Sequence, residues 1–343
     1  MVLMFEKVQK SNISDLIHGM LDSYNDTQDS MYEIDTVAEQ SRMLSVNSAR
    51  ELIRLENSDG FQLITQEIKI LAQESRKANE KNKCNVEKLN REMNAMIGVR
   101  TADVAFDLID KIDRNLFERN CDVQAWSAFE VIKNFASIPS LSNSEKAITL
   151  LQQLHHIYEV YHDIFIADKT GIVIGAAVRM EHLGKDVNDE EWFLGAKSIK
   201  SGAYVTDLHY SNLIQDYVVS YSCKILDENG EFAGVLTTRF NWKYILDMID
   251  ETKIGKNGEV YLINKAGVVI GARDRTLIFE KNMLTDCQGA KTILDGDREQ
   301  MYGCATEKDK ENHLTRVLGY AKTRGYNCYH GQGWAVLALE NIK

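Results

Sequence analysis

The side chains that could hold a metal are few and poorly spaced. His155 and His156 in HHIYEVYH are adjacent, and His162 follows six or seven residues later. That is off the i, i+4 spacing by which two histidines share one helix face. Cys304, Cys328 and His330 lack the paired short spacing of a zinc site, so no metal is expected there. The six cysteines (Cys84, Cys121, Cys223, Cys287, Cys304 and Cys328) include no CxxC pair and have none of the density of a secreted disulfide framework, so reduced thiols are expected. The chain has no phosphate-cradling glycine loop, no nucleophile elbow and no haem-attachment motif. Catalysis therefore has no visible seat, no cofactor is expected, and the chemistry left to the chain is recognition.

The elements that would position a recognition site have to come from 343 residues with one proline, 44% hydrophobic and 27% charged, which describe a folded, helix-rich chain of two or three domains. A formal net charge of −11 with Lys and Arg dispersed among acids argues against nucleic acid as the main partner. No apolar run approaches the roughly 20 residues that span a bilayer, and MVLMFEKVQK lacks the apolar core of a signal peptide. If the chain is complete, it is expected in the cytoplasm.

Apolar residues at Ile34, Val37, Leu44, Leu52 and Leu55, then at Phe61, Ile64, Ile68 and Leu71, recur at helical spacing on either side of NSDG. This is the spacing of a coiled-coil seam, and it predicts residues 1–95 to be an antiparallel helical hairpin, turning at Gly60, that must bury the stripe against a partner by pairing with a second copy as a four-helix bundle. Ala105, Leu108, Ile109, Ile112 and Leu116 continue the helical period, predicting a long linking helix between 86 and 135. Asp107 with Lys111, and Asp110 with Arg114, sit at the favourable four-residue spacing on its outer face. Pro139 should stop the helix before it, and Ser142 to Glu145 reads as the capping box of another that runs to about Tyr161.

VAEQSRMLSVNSARELIR and FQLITQEIKILAQES resemble the tip of methyl-accepting chemotaxis receptors. The matching positions include Glu39, Gln40, Asn47, Glu51 and Arg54 on the first arm and Phe61 on the second, while the turn LENSDGF departs from the family's glycine-rich pattern. The resemblance implies docking of a chemotaxis kinase, its adaptor or chemoreceptor-like proteins; a structural coiled coil is the alternative.

Beyond residue 161 the period changes to short strands broken by glycine, and the chain repeats itself. IFIADKTGIVIGA at 164–176 matches VYLINKAGVVIGA at 260–272, an offset of 96. Each copy reads as a β-hairpin turning on Lys-Xaa-Gly. The fold class expected is α+β: the helical hairpin, a linking helix and a second helix over 96–161, a first sheet module over 162–250 and a second over 251–343.

A long helix entering two tandem PAS-like modules resembles the double Cache sensor of bacterial receptors, carried by IFIADKTG, by EEWF where the family often has Arg-Xaa-Trp-Tyr, and by GVLTTRFNW. The resemblance implies a small-molecule site in the first module, with Trp192, Phe193, Tyr204, Asp207, Tyr210, Ser220, Ser222 and Arg239 as its candidates, joined by Glu190. The amino-acid-binding version of the family places an arginine at the position of Glu190 and an aspartate at that of Arg239. This reversal of charge implies an organic anion on Arg239; pairing of Arg239 with Glu190 or Asp189 is the structural alternative. The function expected is that of a dimeric cytoplasmic sensor signalling through a helical bundle, with a non-sensory scaffold as the runner-up.

Overall fold

The computed structural model describes residues 2–52, 59–138, 140–255, 258–296, 301–308, 315–327 and 329–342. They divide into two compact units, residues 1–100 with 255–257, and residues 101–254 with 258–343. Residue 95, where the domain boundary was expected, lies within one continuous helix, Asp59–Ser127.

In the first unit, helix α1 (Val2–Leu52) runs antiparallel to the early part of α2 (Asp59–Ser127). The antiparallel pairing is fixed by Ser45 Oγ donating to the Thr65 carbonyl at 2.9 Å and Asn79 Nδ2 donating to the Met31 carbonyl at 2.8 Å. The buried seam repeats every seven residues, as Met31, Ala38 and Ser45 against Thr65, Ala72, Asn79, Val86 and Met93. Small side chains let the two backbones approach closely. Asn79, whose Nδ2 donates to the Met31 carbonyl and to Asp35 Oδ1 at 2.7 Å, pins the register.

The large apolar stripe is not part of this seam. Ile34, Val37, Leu44, Ile64 and Leu71 are 41–63% exposed and do not lie between α1 and α2. The large apolar period marks the outer face of the pair, and the neighbouring stripe of Ala38, Ser45, Thr65 and Ala72 is the buried one. Gly60 lies within α2, and Leu55 and Arg54 lie outside the described residues.

In the second unit the later part of α2 buries Ala105, Leu108, Ile109, Ile112 and Leu116, the spacing expected, and its outer face carries the Arg114 to Asp110 pair at 2.8 Å. It is followed by α3 (Glu130–Ser137) and α4 (Leu141–Tyr158). The cap of α4 is Ser140, accepting from the Asn143 amide, two residues before the expected box.

The first sheet contains β1 (Tyr161–Asp168), β2 (Val173–Ala176), β3 (Tyr204–Val205), β4 (His209–Ser211), β5 (Asp216–Leu226) and β6 (Phe232–Asn241). Its order is β2-β1-β6-β5-β3, with β4 also on β5. Helix α5 (Glu191–Ser198) lies between β2 and β3 in sequence, and α6 (Lys243–Glu251) leads to the second sheet. There β7 (Gly258–Ile263), β8 (Val269–Ala272), β9 (Tyr302–Lys308), β10 (Thr315–Lys322) and β11 (Ala335–Ile342) order as β8-β7-β11-β10-β9, with α7 (Met283–Asp286) and α8 (Gln288–Asp295) between β8 and β9 in sequence.

Both repeated hairpins form as read, with Gly171 and Gly267 at positive φ in their turns. One face of each sheet packs into a core shared with α2, α3, α4 and α6. The opposite faces form two separate clusters, one per module. These outer clusters are where the modules differ.

Candidate ligand site

Side chains alternate across a strand, so the register decides which residues share a face. On β6, Leu236 and Phe240 point into the helical core, whereas Val235 belongs to the outer cluster, and with it by parity Thr237 and Arg239. Arg239 pairs with Ser220 on β5 and with Asp163 on β1; Thr237 pairs with Ser222 and with Phe165. Four strand residues expected at the site, or implied by its parity, therefore meet at one patch. Helix α5 covers it with Trp192 and Phe193, both fully enclosed. Tyr204, opposite Ser222, packs its ring directly on Gly195, where a Cβ would lie 2.4 Å from Tyr204 Cε1.

Arg239 is 1% exposed. Its Nη1 donates to Thr237 Oγ1 at 2.6 Å and to the Thr238 carbonyl at 3.2 Å. The Thr237 hydroxyl can pass its own hydrogen to Ser222 Oγ, 2.7 Å away. The guanidinium lies 4.6 Å from the Trp192 ring centroid and 5.4 Å from that of Phe165. Burial is the dominant influence on its acidity and pulls its pKa down to about 9, against the opposing pull of Glu190 and Asp163.

No ion pair reaches Arg239 among the described residues, so the structural alternative of pairing with Glu190 or Asp189 is not what holds it. Glu190 is exposed at the start of α5. Asp163 is buried and already held by four backbone amides. Its Oδ1 accepts from the amides of Ile164, Ala177 and Val178, and its Oδ2 from that of Arg179 at 2.8 Å.

Four buried polar atoms around this patch have no partner: Arg239 Nε, Trp192 Nε1, Ser220 Oγ and His182 Nδ1. A buried polar group without a hydrogen bond costs about 1–3 kcal/mol, and such orphans cluster where a ligand or water completes them.

Two expected site residues lie elsewhere. Asp207 follows Thr206, whose amide and hydroxyl bond the Ser220 backbone, and parity turns Asp207 to the opposite side. There its Oδ1 accepts from Trp334 Nε1 at 2.9 Å and joins the two modules. Tyr210 is 52% exposed, edge-on to Tyr217 on the outer rim. Conversely, Asp163, Phe165, Thr237 and His182 were not singled out from sequence. Thr237 follows from parity with Arg239. Asp163 and Phe165 needed the strand register, and His182, in a short turn after β2, carries no periodic signal.

The second module repeats the geometry without the chemistry. At the equivalent register Leu318, Leu339 and Glu259 replace Ser220, Arg239 and Asp163, while Tyr320, Leu337 and Tyr261 replace Ser222, Thr237 and Phe165. Leu318, Leu337 and Leu339 are core residues there, and a Cβ on Gly289 of α8 would meet Leu318 Cδ2 at 1.8 Å.

Among the described residues no group of three metal-ligating side chains occurs, and no helix is long and apolar enough to cross a membrane. Of the metal candidates weighed from sequence, Cys328 lies outside the described residues.

A search of curated protein sequences gave no match. Among solved structures, the extracellular domain of the putative histidine kinase rpHK1S-Z16 is similar at 15% identity and a TM-score of 0.55, covering 70% of this chain and 92% of that one. The ligand-binding domain of the Campylobacter jejuni chemoreceptor Tlp3 in complex with L-valine is similar at 16% identity and 0.53, covering 73% and 96%. The ligand-binding domain of Mlp24 with asparagine is similar at 13% and 0.53, covering 72% and 95%. These likenesses establish the fold. The family model described as Cache domain (dCache_1) matches residues 7–341, a span that includes the helical residues resembling a chemoreceptor tip. With two tandem sheet modules behind a long helix, the chain belongs to the Cache domain family and has its double Cache fold.

Proposed function

We propose that this chain is a small-molecule sensor whose first module holds an organic anion on Arg239. The observation that carries this reading is the set of buried, unpartnered donors Arg239 Nε, Trp192 Nε1 and Ser220 Oγ on one face, set against leucines at the equivalent positions for Arg239 and Ser220 in the second module. Tlp3 and Mlp24 are described with L-valine and asparagine bound. Here the carboxylate of Asp163 is held by four backbone amides and Arg239 has no ion pair among the described residues, which favours a ligand that brings negative charge. Ligand closure would reach α2 through the shared core, provided the ligand binds the two states of the module with different affinity.

The downstream partner belongs to the same proposal. Gln40, Asn47 and Glu51 are exposed on α1, and Glu39 is half-buried beside Arg42 and Arg76; with the chemoreceptor-tip resemblance they support a chemotaxis kinase or adaptor as partner. Arg54 lies outside the described residues and the side chain of Phe61 is not described. A homodimer is supported by the outward apolar stripe, with Val37 60%, Leu44 61% and Leu71 63% exposed. Leu71→Glu should halve the mass measured by light scattering; an unchanged mass would remove the stripe from the dimer. Location in the cytoplasm is supported by free Cys84, Cys121, Cys223, Cys287 and Cys304. The extracellular origin of the rpHK1S-Z16 domain points the other way. Cell fractionation decides between them.

The decisive experiment is mass spectrometry of small molecules released from the purified protein, followed by thermal shifts with what is found. An anion at 100 times its Kd should add about 2.7 kcal/mol. No released ligand and no shift across a carboxylate and phosphate panel would leave a protein-interaction scaffold.

A further inference from the structure

His182 extends the patch in a way that narrows the ligand. It is 5% exposed and lies edge-on to Phe165 with ring centroids 5.7 Å apart, the same ring that Arg239 approaches. Its Nε2 is 2.7 Å from the Leu213 carbonyl. A carbonyl can only accept, so the ring hydrogen is on Nε2, and a singly protonated imidazole leaves Nδ1 as a bare acceptor. That atom is buried and unpartnered.

The patch thus has two kinds of unmet demand. Arg239 Nε and Trp192 Nε1 can only donate, Ser220 Oγ can do either, and His182 Nδ1 accepts in the neutral tautomer whose Nε2–H faces the Leu213 carbonyl. A plain carboxylate answers the donors and leaves Nδ1 empty. A dicarboxylate has acceptors alone and would set oxygen lone pairs against it. An ammonium group would supply hydrogens but calls for a counter-charge, and all four N–H contacts on Asp163 are already made by backbone amides. An uncharged hydroxyl close to the carboxylate satisfies both ends.

We infer that the first module selects a small hydroxy carboxylate, with Arg239 taking the carboxylate and His182 Nδ1 accepting from the hydroxyl. This rests on the anion site proposed above. His182 is then the specificity-determining residue, because removing the ligand hydroxyl leaves a buried acceptor unpaired.

The test compares lactate with propionate, which differ by that hydroxyl, with alanine and succinate as the ammonium and dicarboxylate probes, by calorimetry on the full chain. Wild type should bind lactate about three- to tenfold more tightly than propionate, the yield of one net hydrogen bond. His182→Phe should bring that ratio to about one while propionate affinity persists, and Arg239→Gln should abolish binding of both. Should His182→Phe fail to fold, NMR of the wild-type ring nitrogens gives the answer: the His182 Nδ1 resonance should move with lactate and stay with propionate. A ratio near one in wild type, a preference that survives His182→Phe, or tighter binding of alanine or succinate than of lactate overturns the inference and leaves the anion site standing. If no carboxylate binds wild type at all, the anion site itself fails.

Discussion

Replacing Arg239 by methionine should stabilise the protein without ligand while removing its response to ligand. A guanidinium at 1% exposure with no ion pair is held at the expense of the fold. Pulling its pKa from the ordinary arginine range to about 9 corresponds, at about 1.4 kcal/mol per tenfold, to a penalty on the order of 5 kcal/mol. The sign is that of a base with a depressed pKa. The unfolded state binds the proton more tightly, so the penalty is fully present below pH 9 and fades as pH rises above it. Against it stand two ring contacts, each worth about 1–2 kcal/mol, and the donations to Thr237 and Thr238. Methionine follows the unbranched arginine stem and fills irregular space, and apolar replacement of buried charge commonly gains about 1–4 kcal/mol. The expected net is a gain of about 1–3 kcal/mol, or roughly 2–8 °C in Tm. Denaturant melts and calorimetry at pH 7, with and without the released ligand, measure it. A loss of more than about 2 kcal/mol in the ligand-free variant would show that Arg239 is structural, and the reasoning from its burial would be wrong.

Asp207→Asn keeps an oxygen for Trp334 and should leave the ligand-induced shift intact, whereas Asp207→Ala strands the indole hydrogen and should cost about 1–3 kcal/mol in a urea melt; loss of the shift in Asp207→Asn would return this residue to the site. Gly319→Ala places a Cβ 2.1 Å from the Thr101 carbonyl carbon and 2.2 Å from the Ala102 amide nitrogen. Backbone cannot yield as a side chain does, so a cost of at least about 2 kcal/mol is expected from the same melts. Asp113 accepts from the Thr323 hydroxyl and from the Arg324 and Gly325 amides, yet burial outweighs these and raises its pKa. An acid raised in the folded state contributes stability that is full below its unfolded pKa and is lost as pH rises through the folded one. The stability of wild type relative to Asp113→Asn should therefore decline as pH rises from the acid limb, as read by pH-stepped urea melts.

How much could be read beforehand depends on how each signal is written. The strand hairpins are local, since β-branched runs and a glycine turn lie within thirteen residues, and both formed as expected. The later part of α2 was equally clear, because Ala105 to Leu116 face a large core and only one stripe is apolar. In the first hundred residues two stripes compete. The larger, holding Val37, Leu44 and Leu71, faces outward, while Ala38, Ser45, Thr65 and Ala72 pack between the helices. Periodicity locates an apolar face without saying which partner meets it.

The site divides along the same line. Arg239, Trp192, Phe193, Ser220 and Ser222 converge because strand parity and one helix place them. Asp207 and Tyr210 do not, since both follow the two paired residues Tyr204 and Val205 of β3, and parity carries Asp207 to the side of Trp334. The internal repeat shows why the site could be suspected and yet not delimited. Its copies match where they build the hairpin and diverge where they line the outer cluster: the offset of 96 between Phe165 and Tyr261 becomes 100 between Arg239 and Leu339. A duplicated fold keeps the residues that make the sheet. On the outer face the core can be completed either by leucine, as in the second module, or by an incoming ligand. The polar residues of the first module leave its buried donors without partners, and that incompleteness is the physical basis of the sensor function proposed for it.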